Sequence, residues 1–247
     1  MYKIIRGTKF ILSDHKINDS YPEDVSPMFA WMENLNLKKD ITIFDVGTNI
    51  GLFSMVYANI YKESSIYSFE PVPFIHNIAK ENFHLNSSVC KNIKLENLGL
   101  SDKEESLQLS LPKSSQHKRY KENINIGLYS IYGRGEEKFN ADFLTLDKYV
   151  EREGISSLDF IKIDVEGHEY RVLQGALSTI KRFKPIIIFE LNELTLKLSG
   201  NLPIEYLNFA HNNNYKVFGL GYGWGDSLVE INHADQINKV SDLILVS

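Results

Sequence analysis

The sequence predicts an α/β protein on a doubly wound, mostly parallel seven-stranded sheet with an antiparallel edge strand. Short apolar runs alternate with segments of helical period from residue 41 onward, which is the pattern of strands joined by crossover helices. Two of the runs, FIKI and PIIIF, carry almost no polar alternation, as expected of strands covered on both faces.

SPMFAWMENLNL (26–37) reads as a helix over the start of the sheet, with Ser26 as N-cap and Pro27 at the first helical position. ITIFDVG (41–47) is the first strand, and a helix runs from about Ile50 to Tyr61. IYSFEP is the second strand, halted by Pro71; PFIHNIAKENFHLN is helical, and IKLENLGL is the third strand. SLQLSLP (106–112) alternates polar and apolar residues like a half-exposed strand, with FNADFLTL (139–146) as its antiparallel partner. The polar stretch between them has no period, and loops of that length are usually functional or disordered. LDKYVEREG is a short helix ending at Gly154, FIKIDVEG a strand, HEYRVLQGALSTIKRF a helix and PIIIFEL a strand. IEYLNFAHNNN (helix), then YKVFGL and DLILVS paired as a hairpin through GYGWGDSLVE, complete the count.

Composition narrows the function. The 247 residues are 43% hydrophobic and 24% charged, the makeup of a globular protein, with no linker to divide it. One domain, 1–247, is expected: an N-terminal cover (1–39), a first half (41–111), an insertion (112–135) and a second half ending in the hairpin (139–247). The single cysteine, Cys90, excludes an internal disulfide scaffold, and no Cys/His cluster has zinc spacing. A net charge of −5 argues against nucleic acid as partner. The absence of a long apolar run argues against membrane insertion and for a cytoplasmic place. Exposed sheet edges and the N-terminal helix permit a homodimer without requiring one.

Open sheets of this kind bind ligands beyond the carboxyl ends of their strands. There stands Asp45-Val46-Gly47-Thr48-Asn49-Ile50-Gly51, whose glycines allow a tight turn and whose following helix offers N–H groups to a small anion. Its spacing is GxxxG and not the GxGxxG of dinucleotide binders. Glu70, 19 residues after Gly51, ends the second strand, where a carboxylate accepts bonds from ribose hydroxyls. A nucleoside joined to a group with a small anion fits S-adenosylmethionine better than NAD, with the Asp45 carboxylate suiting its sulfonium.

FDVGTNIG, FEPVP, NLGLSD, TLDKY, IKIDVEGHE (161–169) and IIIFELNE (186–193), in that order, resemble the FkbM family of class I S-adenosylmethionine-dependent methyltransferases, whose sheet is Rossmann-like. The resemblance spans about Ile41 to Leu191. It implies that Asp45, Gly47 and Gly51 line the methionine part of the cofactor with Thr48 and Asn49 in the same loop, that Glu70 holds the ribose, and that Asn97 lies near the adenine beside Phe69 and Leu98. IKIDVEGHE would border the transferred methyl group. Lys162 points opposite to Ile161 and Ile163 and is expected to pair with an acid across the sheet.

A hydroxyl acceptor needs a base or a metal, because an alcohol is a poor nucleophile until it loses its proton. Glu166 and His168 are candidates for the base, while Asp164 and Glu190 on the next strand are candidates for sharing Mg²⁺. Alternatively Asp164 orients the cofactor's amino group, and Glu169 caps the helix or sits in solvent. Lys118 and Arg119 in the basic, aromatic insertion, and Tyr222 and Trp224 between glycines near the end, are candidates for gripping the acceptor.

The family resemblance implies an O-methyltransferase acting on a sugar or nucleotide-linked sugar, in polysaccharide or glycosylated-metabolite biosynthesis, of a bacterial capsule for example. The alternatives are methylation of a phosphate-type oxygen or an amine, a non-catalytic cofactor-binding scaffold, and a nicotinamide dehydrogenase on a similar sheet. RNA or DNA methylation lacks both a favourable charge and an Asn-Pro-Pro-aromatic motif.

Overall fold

A computed structural model describes residues 2–5, 8–11, 31, 32, 34, 35, 37–111, 126–191, 193–221, 228–237 and 240–247. The seven expected strands are present: β3 (Thr42–Val46), β4 (Ser65–Phe69), β5 (Ile93–Glu96), β9 (Phe160–Ile163), β10 (Ile186–Glu190), β11 (Lys216–Leu220) and β13 (Asp242–Val246). With the short β12 (Val229–Glu230), the sheet among the described residues has eight strands in the order β12-β11-β13-β10-β9-β3-β4-β5. The run from β10 to β5 is parallel.

An antiparallel edge strand is present, the short β12 against β11, and a second antiparallel strand lies inside the sheet. β13 lies between β10 and β11 and pairs antiparallel with both, so the expected hairpin neighbours do meet, but inside the sheet. Its first four residues are all buried, which suits a strand covered on both faces and flanked on both sides.

Alternation along the strands builds two apolar layers. Phe44, Ile161, Phe189 and Leu243 face one core, with α3 (Leu146–Arg152), α4 (Glu169–Gln174), α5 (Leu177–Phe183) and α7 (Pro203–Asn212) over it. Ile43, Phe160, Ile188 and Ile244 face the other, covered by α1 (Leu52–Ile60). Asp45 and Lys162 are register partners on adjacent strands, on this second face.

The remaining elements depart from expectation for local reasons. IKLENLGL is split at Asn97: its second part is β6 (Gly99–Leu100), which joins β7 (Glu105–Ser110) and β8 (Lys138–Leu144) in a separate three-stranded sheet, with β7 and β8 antiparallel as expected. The single helix expected from His168 to Phe183 breaks into α4 and α5 at Gly175. There a Cβ would lie 2.0 Å from the Ser101 carbonyl oxygen, so the backbone packs where no side chain fits. α2 (Pro73–Leu85) forms as expected, and α6 (Glu193–Ser199) and α8 (Ala234–Ile237) are additions. The N-terminal stretch pairs as an antiparallel ribbon, β1 (Tyr2–Ile5) with β2 (Thr8–Ile11). The helix expected over 26–37 lies mostly outside the described residues, with Trp31 and Met32 helical. Among the described residues no helix is long and apolar enough to cross a membrane.

Candidate active site

A cleft of about 200 Å³ opens at the carboxyl ends of β3, β4, β9 and β10, with the small sheet as its far wall. The β3–α1 loop forms one side. Gly47 (φ 78°), Asn49 (φ 53°) and Gly51 (φ 87°) are all left-handed. At Gly47 a Cβ would stand 1.8 Å from the Asp164 carbonyl oxygen, so the loop can pack on the end of β9 only with glycine there. Much of the loop's N–H capacity is already used. Gly47 and Thr48 donate to the Phe69 carbonyl, Gly51 to the Thr48 carbonyl and Asn49 to Glu70, which leaves fewer donors for an anion than the motif suggests.

Asp45 lies beneath the loop, fully buried and off the cleft wall. Its Oδ2 accepts from Thr48 Oγ1 (2.7 Å) and Ser54 Oγ (2.6 Å), and Lys162 Nζ is 3.3 Å from Oδ1. Lys162 also donates to the Gly47 carbonyl at 2.9 Å and lies 3.4 Å from Asp164. Burial opposes its charge, but Asp45 and Asp164 outweigh that and hold the ammonium above its ordinary range. This is the expected pairing across the sheet, and it makes Asp45 a brace for the loop.

Glu70 lines the cleft and accepts from Val72 N–H (2.9 Å) through Oε1 and from Asn49 N–H (3.1 Å) through Oε2. Burial pushes its carboxyl up to about 7, against the pull of those two bonds. Asn97 is exposed and off the wall: its Nδ2 donates to the Glu70 and Pro71 carbonyls, so it clamps the strand end while Leu98 and Gly99 face the cleft.

On the other side, the loop after β9 brings carboxylate oxygens of Asp164, Glu166 and Glu190 within 4.8 Å of one another. Burial first, then these neighbours, push Glu166 up to about 9, which favours its protonated form. Glu169 is buried and not in solvent, because its Oε1 accepts from the Val165 and Gly167 N–H groups, each at 3.1 Å, and shapes the loop. His168, 3% exposed, lines the cleft with Nε2 2.9 Å from Ser101 Oγ. Burial, then Arg171, lower it to about 4, so it is neutral at pH 7 and a weaker proton acceptor than a free imidazole.

The model of the methyltransferase FkbM domain matches residues 45–217, which is most of the chain and includes both sides of this cleft. The chain belongs to the FkbM methyltransferase family. The methyltransferase sdnD of Sordaria araneosa is 29% identical over 57% of this chain and 62% of its own length. Methyltransferase 1 of Beauveria bassiana is 26% identical over 55% and 58%. The chain thus spans about three-fifths of these curated relatives. Methyltransferase FkbM from Methylobacillus flagellatus superposes with a TM-score of 0.55 at 14% identity, covering 86% of this chain and 45% of that one, which shows a shared fold.

The class I fold of this FkbM chain implies S-adenosylmethionine as methyl donor, and the residues suit it. Asn49 Oδ1 is buried without a hydrogen-bond partner among the described residues, an acceptor for the cofactor's ammonium. Each Glu70 oxygen keeps a lone pair for a ribose hydroxyl. Asp164, Glu166 and Glu190 form an oxygen-only donor set of the kind hard cations take, although Lys162 already offsets part of the charge of Asp164.

Of the expected site residues, Gly47, Thr48, Asn49, Glu70, Asp164, Glu166, His168 and Glu190 meet at the cleft, whereas Asp45, Gly51 and Asn97 stand behind it. Lys118, Arg119, Tyr222 and Trp224 lie outside the described residues. Tyr129 of the aromatic insertion joins an apolar wall that sequence reasoning missed, made by Val72, Ile75, Leu109, Ile131 and Phe143 from four separate segments. Val72 and Ile75, three apart at a helix start, carried the only local signal.

Proposed function

We propose that this FkbM-family chain is an S-adenosylmethionine-dependent O-methyltransferase acting on a hydroxyl of a sugar or sugar-like small molecule. The observation that carries this is His168, a neutral, buried imidazole in the wall of the cofactor cleft, with Nδ1 free of any hydrogen bond among the described residues. Bound, S-adenosylmethionine supplies a methyl group on a cationic sulfur. The chain's residues hold and orient the partners: Glu70 anchors the ribose, Asn49 and the Gly47 loop hold the amino-acid end, and the small sheet excludes water. His168 would take the proton that the acceptor hydroxyl gives up. The sugar class follows the family resemblance. Mg²⁺ at Asp164 and Glu190 has only oxygen proximity in its favour, and no step needs it.

A second reading, methylation of an amine, draws on the acids Asp164 and Glu190 at the cleft, which would attract the ammonium form of the acceptor before it gives up its proton.

Calorimetric titration with S-adenosylhomocysteine, with NADH as control, tests the cofactor: micromolar binding of the former alone is expected, and binding of NADH alone would overturn it. Turnover on nucleotide sugars but not on amines, lost in His168→Ala and kept in EDTA, supports the hydroxyl reading. Turnover on amines that survives His168→Ala overturns it.

A further inference from the structure

His168 is held at one ring nitrogen only. Nε2 meets Ser101 Oγ at 2.9 Å, while Nδ1 is buried and unpartnered among the described residues in a side chain of the cleft wall. Ser101 is fully buried, and its N–H donates to the Leu144 carbonyl at 3.0 Å. Its own carbonyl packs closely against Gly175 at the break between α4 and α5, so the backbone at Ser101 is held on both sides.

The Ser101 hydroxyl has one proton and lies 3.1 Å from Asp102 Oδ1. A carboxylate only accepts, so the proton belongs to Asp102; aimed at the imidazole, it would leave two oxygens facing each other through lone pairs. With its proton so placed, Ser101 Oγ can only accept, and what it accepts is Nε2–H. Asp102 is fixed in turn, since Oδ2 takes the Arg171 guanidinium at 2.8 Å, and Arg171 N–H donates to the His168 carbonyl at 3.1 Å.

We propose that Ser101 and Asp102 are positioning residues that hold His168 in the Nε2-protonated tautomer, so that the ring's free lone pair lies on Nδ1, the nitrogen no other described group holds. The role of Nδ1 rests on the O-methyltransferase reading. The hydroxyl proton passes to Nδ1 as oxygen bonds to the methyl carbon and sulfur keeps the electron pair. The resulting imidazolium keeps its Nε2–H on Ser101. The groups around the ring are Tyr132 and Phe143 at 6.3 and 5.9 Å, with Asp102 and Glu105 favouring the imidazolium and Arg171 opposing it.

The test is ¹⁵N NMR of the imidazoles in the full-length protein at pH 7.5, with His168→Gln to assign the signal among seven histidines. The native protein is expected to show His168 with Nε2 protonated and Nδ1 bare. In Asp102→Asn, Arg171 keeps the amide oxygen and the NH₂ turns to Ser101, which must then donate to Nε2, so the proton is expected to move to Nδ1. Ser101→Ala is expected to mix the two tautomers; should it fail to fold, Asp102→Asn, at a partly exposed position, still decides. A native Nδ1–H signal, or one tautomer in all variants, overturns the proposal. Methyl transfer to a hydroxyl acceptor should fall about 10²-fold in Asp102→Asn at unchanged affinity for S-adenosylhomocysteine. The expected spectra without transfer to any hydroxyl leave the tautomer assignment standing and sink the O-methyltransferase reading.

Discussion

Lys162 Nζ stands 3.3 Å from Asp45 Oδ1 and 3.4 Å from Asp164 Oδ2, so one ammonium ties the end of β3 to the end of β9 at the point where the sheet changes direction. Asp45 is in turn bonded to Thr48 and Ser54, so this charge also fixes the cofactor loop.

Lys162→Met should therefore destabilise strongly, because it leaves a buried carboxylate without its counter-charge. A loss of about 3 kcal/mol or more is expected, seen as a Tm lower by about 10 °C. Lys94→Ala, which breaks an exposed pair with Glu153, should change stability by less than about 1 kcal/mol. Equal effects of the two in thermal melts would mean that Lys162 is not a brace.

Gly47→Ala places a methyl group against the Asp164 carbonyl in a left-handed backbone. Strain and clash together should remove about 2 kcal/mol or more. Urea unfolding should show a lower midpoint and calorimetry weaker S-adenosylhomocysteine binding; an unchanged midpoint would show that the loop can move away.

Glu70→Gln keeps shape, loses charge and leaves one of the Val72 and Asn49 N–H groups facing an amide NH₂ that cannot accept. The fold should survive, with Tm within a few degrees, while S-adenosylhomocysteine binding weakens about 10-fold or more, as the loss of a charge-assisted bond implies. Unchanged affinity would remove Glu70 from the ribose site.

The pH dependence follows from raised carboxyls. Glu70 and Glu169, both at about 7, keep protons in the folded state that the unfolded chain releases near 4.5, so their burial costs stability as pH rises from 4.5 through 7. His168, lowered to about 4, acts the other way, since the unfolded chain takes up its proton as pH falls below 6.5. Between pH 6.5 and 8 these glutamates act together with Glu166, raised to about 9, in the same direction, and the urea midpoint should fall. Ribose hydroxyls need the Glu70 anion, so binding of S-adenosylhomocysteine should weaken as pH drops below 7, and this dependence should vanish in Glu70→Gln. Titrations at pH 6 and pH 8 check both.

The parts of this architecture legible in the sequence are those governed by local pattern. The strand runs ITIF, FIKI and PIIIF announce themselves by burial on both faces, and Lys162 by being the one charge in such a run. The cleft residues Glu70, Asp164 and His168 were found because strand ends in an open sheet converge. What stayed hidden depends on distant contacts. Asp45 and Gly51 belong to the same motif as Gly47, but Asp45 lies in β3 on the face it shares with Lys162 and Gly51 packs against Phe83, so neither lines the cleft. Gly175 reads as a tolerated helix glycine until the Ser101 carbonyl beneath it is seen. Asn97 marks a strand end in either case, but the chain's departure into a second sheet two residues later carries no local signal.

β13 is the latest in sequence of the large sheet's strands, yet its neighbours are β10 and β11. The sheet therefore cannot be assembled by adding strands in chain order: β11 must wait, unpaired with β10, for a segment more than 20 residues further on to enter the gap between them. Such closure is entropically slow. Until it occurs, two strand edges in the middle of the sheet remain open, and these would be the first places for a folding intermediate to pair with another chain.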